Sequence, residues 1–338
     1  MNPPLVSVIV PVYNARALLL PCLSAIRLQE GIGPGEMEVI VVDDGSSDYS
    51  PLAAAGLCDR LIRLEHNSGA AAARNRGARE ARGSILVFVD VDVFLEPRAL
   101  MSLRRAFETR PEIAAAVGRY TARPAAKSLV SVYHNAFTRY HHDLAPREID
   151  WFWGALGAAR RDAFFAAGGF DERYRGASAE DMELGAALSR KGYRIVYCPE
   201  AEGAHAHPFT LARMFENDYK KAALGVKLKL RGRLPRGAPG FANPRNVLAA
   251  LLAPVWLVSL FLALFHPGAL AATILAAAGL ALLNLPFYRR LASSLSGAKI
   301  VGGVLLHWLQ LIAILAGAGA GLMGHLLGRS PYGRPGWI

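Results

Sequence analysis

Ser84-Ile-Leu-Val-Phe-Val-Asp-Val-Asp-Val93 is the stretch from which the fold can be read. Ile85 to Val89 is an unbroken apolar run with the length of a buried strand. It delivers two carboxylates, Asp90 and Asp92, two residues apart. In an extended chain that spacing sends both to one side. Carboxylates held this way at a strand end can ligate a hard divalent cation, and such a cation holds phosphates. A solvated acidic turn would look the same in isolation, so the flanking chain has to decide.

Upstream, Leu5 to Val12 is apolar and β-rich, as a central parallel strand is, and ends in Tyr13-Asn14. Ala15 to Gln29 has helical composition, with Leu19, Cys22, Leu23 and Ile26 on one stripe. Met37 to Val42 is a second strand and empties into Asp43-Asp-Gly-Ser-Ser-Asp48. Leu61 to Leu64 is a short third strand, and the loop His66-Asn-Ser-Gly69 opens a helix over Ala70 to Arg82. This alternation with short connections predicts an α/β parallel sheet with helices on both faces. Ligands of such sheets bind at the carboxyl ends of the strands. Tyr13-Asn14, Asp43-Asp44 and Asp90/Asp92 all lie at carboxyl ends. No Gly-x-Gly-x-x-Gly follows the first strand and no P-loop pattern occurs, so phosphate handling points to a metal.

Downstream, the pattern predicts a helix over Pro97 to Thr109, a strand over Ile113 to Tyr120 and a helix over Leu129 to His142. The stripe Tyr133, Phe137, Tyr140 on that last helix reads as core packing or as a ligand-facing wall. Gly154 to Gly157 reads as an irregular apolar segment. Glu180-Asp181 opens a helix that runs to Lys191, where the helix dipole favours anions. Arg194 to Cys198 reads as a strand, with His205 and His207 in the loop beyond it.

The 338 residues suggest two domains, or one domain and an appendage. Hydrophobic residues make up 53%, and the excess falls after residue 246. A net charge of +11 with only 19% charged residues argues against a nucleic-acid partner and fits a membrane protein. Cys22, Cys58 and Cys198 show no metal-ligand spacing and read as buried thiols in a reducing compartment. No basic segment precedes Val6 to Val12, so no signal peptide is expected. Phe209 to Leu230 reads as a basic amphipathic helix at a membrane surface, and 231–246 as a linker.

Three uncharged runs follow, 247–265, 268–288 and 300–327, near or above the ~20 residues that cross a bilayer. Basic residues before the first run, and Arg289, Arg290 and Lys299 after the second, place both flanks in the cytoplasm. Three crossings would carry Arg329 and Arg334 outward, against that rule, unless the third run bends back or lies in the interface. His307, Gln310 and His325 within it are expected to face a protein interior.

Taken together, the motifs resemble family-2 glycosyltransferases, inverting enzymes of GT-A fold. The resemblance covers residues 5 to about 215. It rests on Val10-Pro-Val-Tyr-Asn14, Val41-Val-Asp-Asp-Gly-Ser46, Asn67-x-Gly69 with Arg74-Asn75, Asp90-Val-Asp92, Gly168-Gly-Phe-Asp-Glu172 and Glu180-Asp181. It implies a mixed, mostly parallel sheet with flanking helices, followed here by an all-α transmembrane region. The division expected is a catalytic domain over 1–208, an interfacial helix and linker over 209–245, a membrane region over 246–328 and a tail over 329–338.

The resemblance also implies roles. Pro11, Tyr13 and Asn14 would form the floor of a nucleotide site. Asp44, beside Asp43, would accept from the base. Asn67 and Gly69 would border that site, and Arg74 would reach the nucleotide or its phosphates. Asp90 and Asp92 would be the D-x-D pair on Mg²⁺ or Mn²⁺, completed by His205 with His207 as runner-up. Asp181 would be the catalytic base, with Glu180 beside it raising its proton affinity. The expected donor is a nucleotide sugar, UDP-linked by preference. The expected acceptor is a hydroxyl of a lipid-linked or membrane glycan, met by a cytoplasmic catalytic domain at the inner (plasma) membrane. Two patterns of the wider family are missing. No Gln-x-x-Arg-Trp follows Glu180-Asp181, which speaks against processive polymer synthesis. No Gln-Asp-Pro-Pro-type run follows Asp92, which speaks against the alternative, a polyprenyl-phosphate sugar synthase. A catalytically silent nucleotide-binding membrane protein is the other alternative.

Overall fold

The computed structural model describes residues 5–48, 50, 54, 56–174, 179–234 and 243–330. Three apolar segments and a short, partly exposed edge strand form one parallel half-sheet: β1 (Val6–Val12), β2 (Met37–Asp43) and β4 (Ile85–Val89), with β3 (Arg60–Arg63) at the edge. They stand in the order β3-β2-β1-β4. Side chains alternate across the sheet. Val8, Val10, Val39, Val41 and Val87 face α1 (Arg16–Arg27) and α3 (Ala99–Thr109). Ile9, Ile40, Val42, Leu86 and Phe88 face α2 (Ala70–Glu80) and α5 (Arg161–Ala166). Both faces are covered, which is why these strands read as continuous apolar runs.

The second half of the sheet mixes directions. β8 (Leu156–Arg160) lies antiparallel between β4 and β6 (Ile113–Tyr120). β6 is parallel to β9 (Arg194–His205), and β9 is antiparallel to the short β5 (Val93–Leu95) and to β7 (Glu148–Ile149). Two sequence expectations change here. Leu156 and Gly157, expected to be irregular, are in a strand. The Arg194 strand does not stop at Cys198 but continues to His205, which is therefore on the sheet rather than in a loop. Of the three thiols, Cys22 and Cys198 are buried and Cys58 is only half-buried.

The remaining helices are α4 (Leu129–Asp143), α6 (Glu180–Arg190), α7 (Leu211–Leu230), α8 (Pro244–Leu262), α9 (Ala269–Leu291) and α10 (Ala298–Leu326). The last three are long and apolar enough to cross a membrane. Many of their large side chains, such as Leu251, Val258, Phe261 and Leu282, are exposed in the isolated chain. The aromatic stripe of α4 docks onto them. Tyr133 and Phe137 meet Phe287 edge-on, and Asp143 pairs with Arg290 at 2.6 Å.

The basic helix α7 lies along the C-terminal half of α10. A Cβ on Gly317 would come within 2.3 Å of the Tyr219 carbonyl oxygen, and one on Gly321 within 2.3 Å of that of Ala223. Only glycine permits this approach. Above the seam, Gln310 is fully buried; its amide donates to Asp218 at 2.7 Å and its carbonyl oxygen accepts from the Tyr133 hydroxyl.

Candidate active site

The β5–β9 pairing builds the centre of the site. Val93 is in register with His205, and the Ala206 N–H donates to the Asp92 carbonyl at 2.8 Å. This brings His205 Nε2 to 3.6 Å and His207 Nδ1 to 3.9 Å from Asp92 Oδ2. His205 is buried and stacked on Tyr120 at 4.5 Å, and Tyr120 meets Trp153 edge-on. Burial pushes the Asp92 carboxyl up, but the His205 hydrogen bond and the two imidazoles outweigh it, so its pKa is lowered. Asp90, at the end of β4, turns the other way. Its Oδ1 accepts from Arg74 Nη2 at 2.7 Å. Burial dominates there, and the pKa is raised despite Arg74.

Arg74 is placed differently from the expectation. It is 3% exposed, its second terminal nitrogen donates to Glu180 Oε1 at 3.0 Å, and its guanidinium lies over Phe170. It links the end of β4 to the start of α6 instead of reaching outward. Its neighbour Asn75 explains the Gly168-Gly-Phe-Asp-Glu172 motif. The Asn75 amide donates to the Phe170 carbonyl and accepts from the Phe170 N–H, at 2.8 and 2.9 Å. Phe170 in turn packs edge-on against Phe88 of β4.

Glu180 is buried on Arg74, and Asp181, the next residue, is half-buried. Asp181 Oδ2 accepts from the Gly154 N–H at 3.3 Å. Burial first, and the Glu180 charge second, push its pKa up to about 7. Burial first, and then the charges of Asp92, Asp90 and Asp181, raise the Tyr120 hydroxyl pKa, so all three carboxylates are within electrostatic reach of it. No sequence motif singled out Tyr120 or Gly154.

The other strand ends form a second shelf. Asp44 is buried, and its two oxygens accept from the Ser68 and Gly69 N–H groups at 2.7 and 2.8 Å. Burial raises its pKa. Asp43 is also buried and caps Ser46 N–H at 3.0 Å. A Cβ on Gly45 would meet the His66 carbonyl carbon at 2.8 Å, so glycine is what lets the two loops close on each other. Tyr13 and Asn67 are exposed. Asn14 sits at φ 47°, a left-handed position asparagine tolerates, and its side chain accepts from Ser47 N–H. Pro11 is buried within β1, just ahead of the exposed Tyr13 and Asn14. A cavity of about 540 Å³ lies behind Phe170 and includes neither Asp92 nor Asp181 in its lining.

Among the described residues, no cluster of three or more His, Cys, Asp or Glu side chains is close enough to cage an ion. The donors at Asp92 are one carboxylate with two imidazoles. A carboxylate and imidazoles are donor types that divalent ions accept.

Residues 7–165 match the profile described as glycosyl transferase family 2. Validoxylamine A glucosyltransferase of Streptomyces hygroscopicus subsp. limoneus is 30% identical over 60% of this chain and 52% of its own length. The O-antigen chain rhamnosyltransferase RfbN of Salmonella typhimurium is 26% identical over 77% of this chain and 86% of its own. The chain spans about half the length of the two validoxylamine A glucosyltransferases it matches. The fold is similar to that of the mannosyltransferase PcManGT from Pyrobaculum calidifontis, solved in complex with GDP-Man and Mn2+. The TM-score is 0.56 at 22% identity, over 97% of this chain and 88% of that one. The chain therefore carries, over residues 7–165, a glycosyl transferase family 2 domain, set in a GT-A fold with apolar helices at its C-terminal end.

Proposed function

We propose that this chain is a membrane-anchored, inverting glycosyltransferase that moves a sugar from a nucleoside-diphosphate sugar to a hydroxyl of a membrane-bound acceptor. One observation carries the reading. Asp181 has its pKa raised to about 7 and stands apart from Asp92, which is held charged by His205 and His207. Two carboxylates with divergent proton affinities, both close enough to Tyr120 to raise its pKa, are what a base and an ion ligand require.

Asp92 and His205 would hold the divalent ion, with His207 beside them; when bound, it neutralises charge building on the departing diphosphate. The acceptor oxygen attacks the anomeric carbon as the bond to the diphosphate oxygen breaks. Asp181 takes the acceptor's proton, and the nucleoside diphosphate leaves with the bonding pair. The Gly154 N–H fixes Asp181, and Glu180 keeps it basic. Arg74 holds Glu180 and Asp90 in place. The buried Asp44 shapes the loop through Gly69 on which the nucleotide would rest. α8 and α9 would anchor the domain to the inner membrane, with the catalytic face on the cytoplasmic side.

The test is nucleotide release by the purified full chain with UDP-, GDP- and dTDP-sugars, with and without Mn²⁺. Turnover with one donor is expected, abolished by chelation and reduced about 10²–10⁴-fold by Asp181→Asn. No turnover with any donor, or an Asp181→Asn variant as fast as wild type, would sink the proposal.

A further inference from the structure

A cavity of about 430 Å³ lies where the catalytic domain meets the apolar helices. Its walls are largely apolar, with Phe137 and Tyr140 from α4 and Leu283 and Phe287 from α9. Its polar groups converge from different elements. The N-terminus of α8 opens into it, and Arg245 in the first turn is part of the lining. One guanidinium nitrogen of Arg245 donates to the Leu282 carbonyl at 3.2 Å, which steadies the side chain. From α10 comes His307, 3% exposed, whose Nδ1 has no hydrogen-bond partner among the described residues. A buried polar atom left without a partner is costly, and a bound ligand removes that cost.

The signs agree. The dipole at the start of α8, where Asn243 Oδ1 already accepts from the Asn246 N–H, and an arginine both favour an anion, and an imidazole can donate to one. No carboxylate is part of the lining. Asp143, the acid at the end of α4, is engaged by Arg119 and Arg290. The apolar side of the ligand is indicated as well. Leu248 and Leu251 of α8 and Leu282 and Leu285 of α9 are exposed near this joint. The cavity shares no residue with the Asp92 cluster or Asp181.

We propose that this cavity binds the phosphate of an anionic membrane lipid, whose chains run out along α8 and α9. The proposal rests on the membrane reading of those helices and not on the glycosyl-transfer chemistry. The lipid would tie α4, and with it the catalytic domain, to the hairpin.

The experiment uses the full chain in neutral detergent, with native mass spectrometry and thermal melting in parallel. Three probes are compared: phosphatidylglycerol, phosphatidylcholine and inorganic phosphate. Phosphatidylglycerol is expected to be retained selectively and to raise the melting temperature. Arg245→Gln should weaken its binding about tenfold, the loss of one charged hydrogen bond. His307→Phe should do likewise, while Lys229→Gln, at an exposed position of α7, should not. Nucleotide release in phosphatidylcholine should be unchanged by Arg245→Gln. Equal binding of the two lipids, or full retention by Arg245→Gln, would overturn the proposal. So would equal stabilisation by inorganic phosphate alone, which would make the site one for a free anion. Because Arg245 is exposed, its variant keeps the test decisive even where His307→Phe fails to fold.

Discussion

Arg74 and Asp181 are the residues on which chemistry and stability pull in different directions. Arg74 is held between Asp90 and Glu180, with Arg74 and Glu180 each 4% exposed at the side chain. Removing it would strand a buried charge, a loss of ~3–5 kcal/mol for a broken buried pair. Arg74→Met should therefore lower the melting temperature of the full chain markedly, and an unchanged melt would refute the hub. Asp181 carries a pH signature. As the proposed base it must be deprotonated, so kcat/KM should climb with pH through about 7 and level off above. For stability the sign is reversed. Folding raises this carboxyl from the ordinary ~4 to about 7. The stabilisation is complete below pH ~4 and is lost as pH rises through 7. Asp181→Asn should then melt higher than wild type at pH 8 while losing turnover. A variant that melts lower at pH 8 would count against the buried-carboxyl account.

At the scale of elements, the α7–α10 seam is the most exacting contact. Gly321→Val would drive its side chain into the Ala223 carbonyl and should separate the helices, lowering the melting temperature by several degrees. Gly319, one turn-face away with nothing within 4 Å, should accept alanine without loss. Equal behaviour of the two variants would dismiss the seam. The elements also show what could be read from sequence and why. β1, β2, β4 and β6 are buried on both faces, so each advertises itself as an apolar run, and the carboxylates at the ends of β2 and β4 were legible with them. β8 did not. Its Leu-Gly-Ala-Ala-Arg sequence has weak strand preference, and only the distant partners β4 and β6 make it a strand. β9 was cut short because Pro199 and Glu200 interrupt it at an irregularity in its pairing with β6. The extension past that point puts His205 opposite Val93, so the neighbourhood of Asp92 was nameable by motif but its geometry was not. The inward turn of Arg74 was hidden for a similar reason: its partner Glu180 is 106 residues away in sequence.

Across the whole molecule, apolar helices and a GT-A sheet share one aromatic joint, through which α4 reaches both. Gln310 of α10 bonds to both Tyr133 of α4 and Asp218 of α7. Gln310→Leu should take from the buried Asp218 one of its two amide donors, leaving Asn217, and reduce the melting temperature, measurable in the same detergent assay. The glycine seam bears on the parity of the chain. α7 and α10 run the same way, with Tyr219 at Gly317, Ala223 at Gly321 and Lys227 at Gly324. If the distal half of α10 passed through lipid, Lys220, Lys221 and Lys227 would go in beside it, each costing ~2.5–3.5 kcal/mol near mid-bilayer. The seam therefore favours an even number of crossings, α8 out and α9 back, with α10 turning along the surface it started from. A reporter fused after Ile338 should read the same side of the membrane as one fused before Met1, and opposite readings would restore a third crossing.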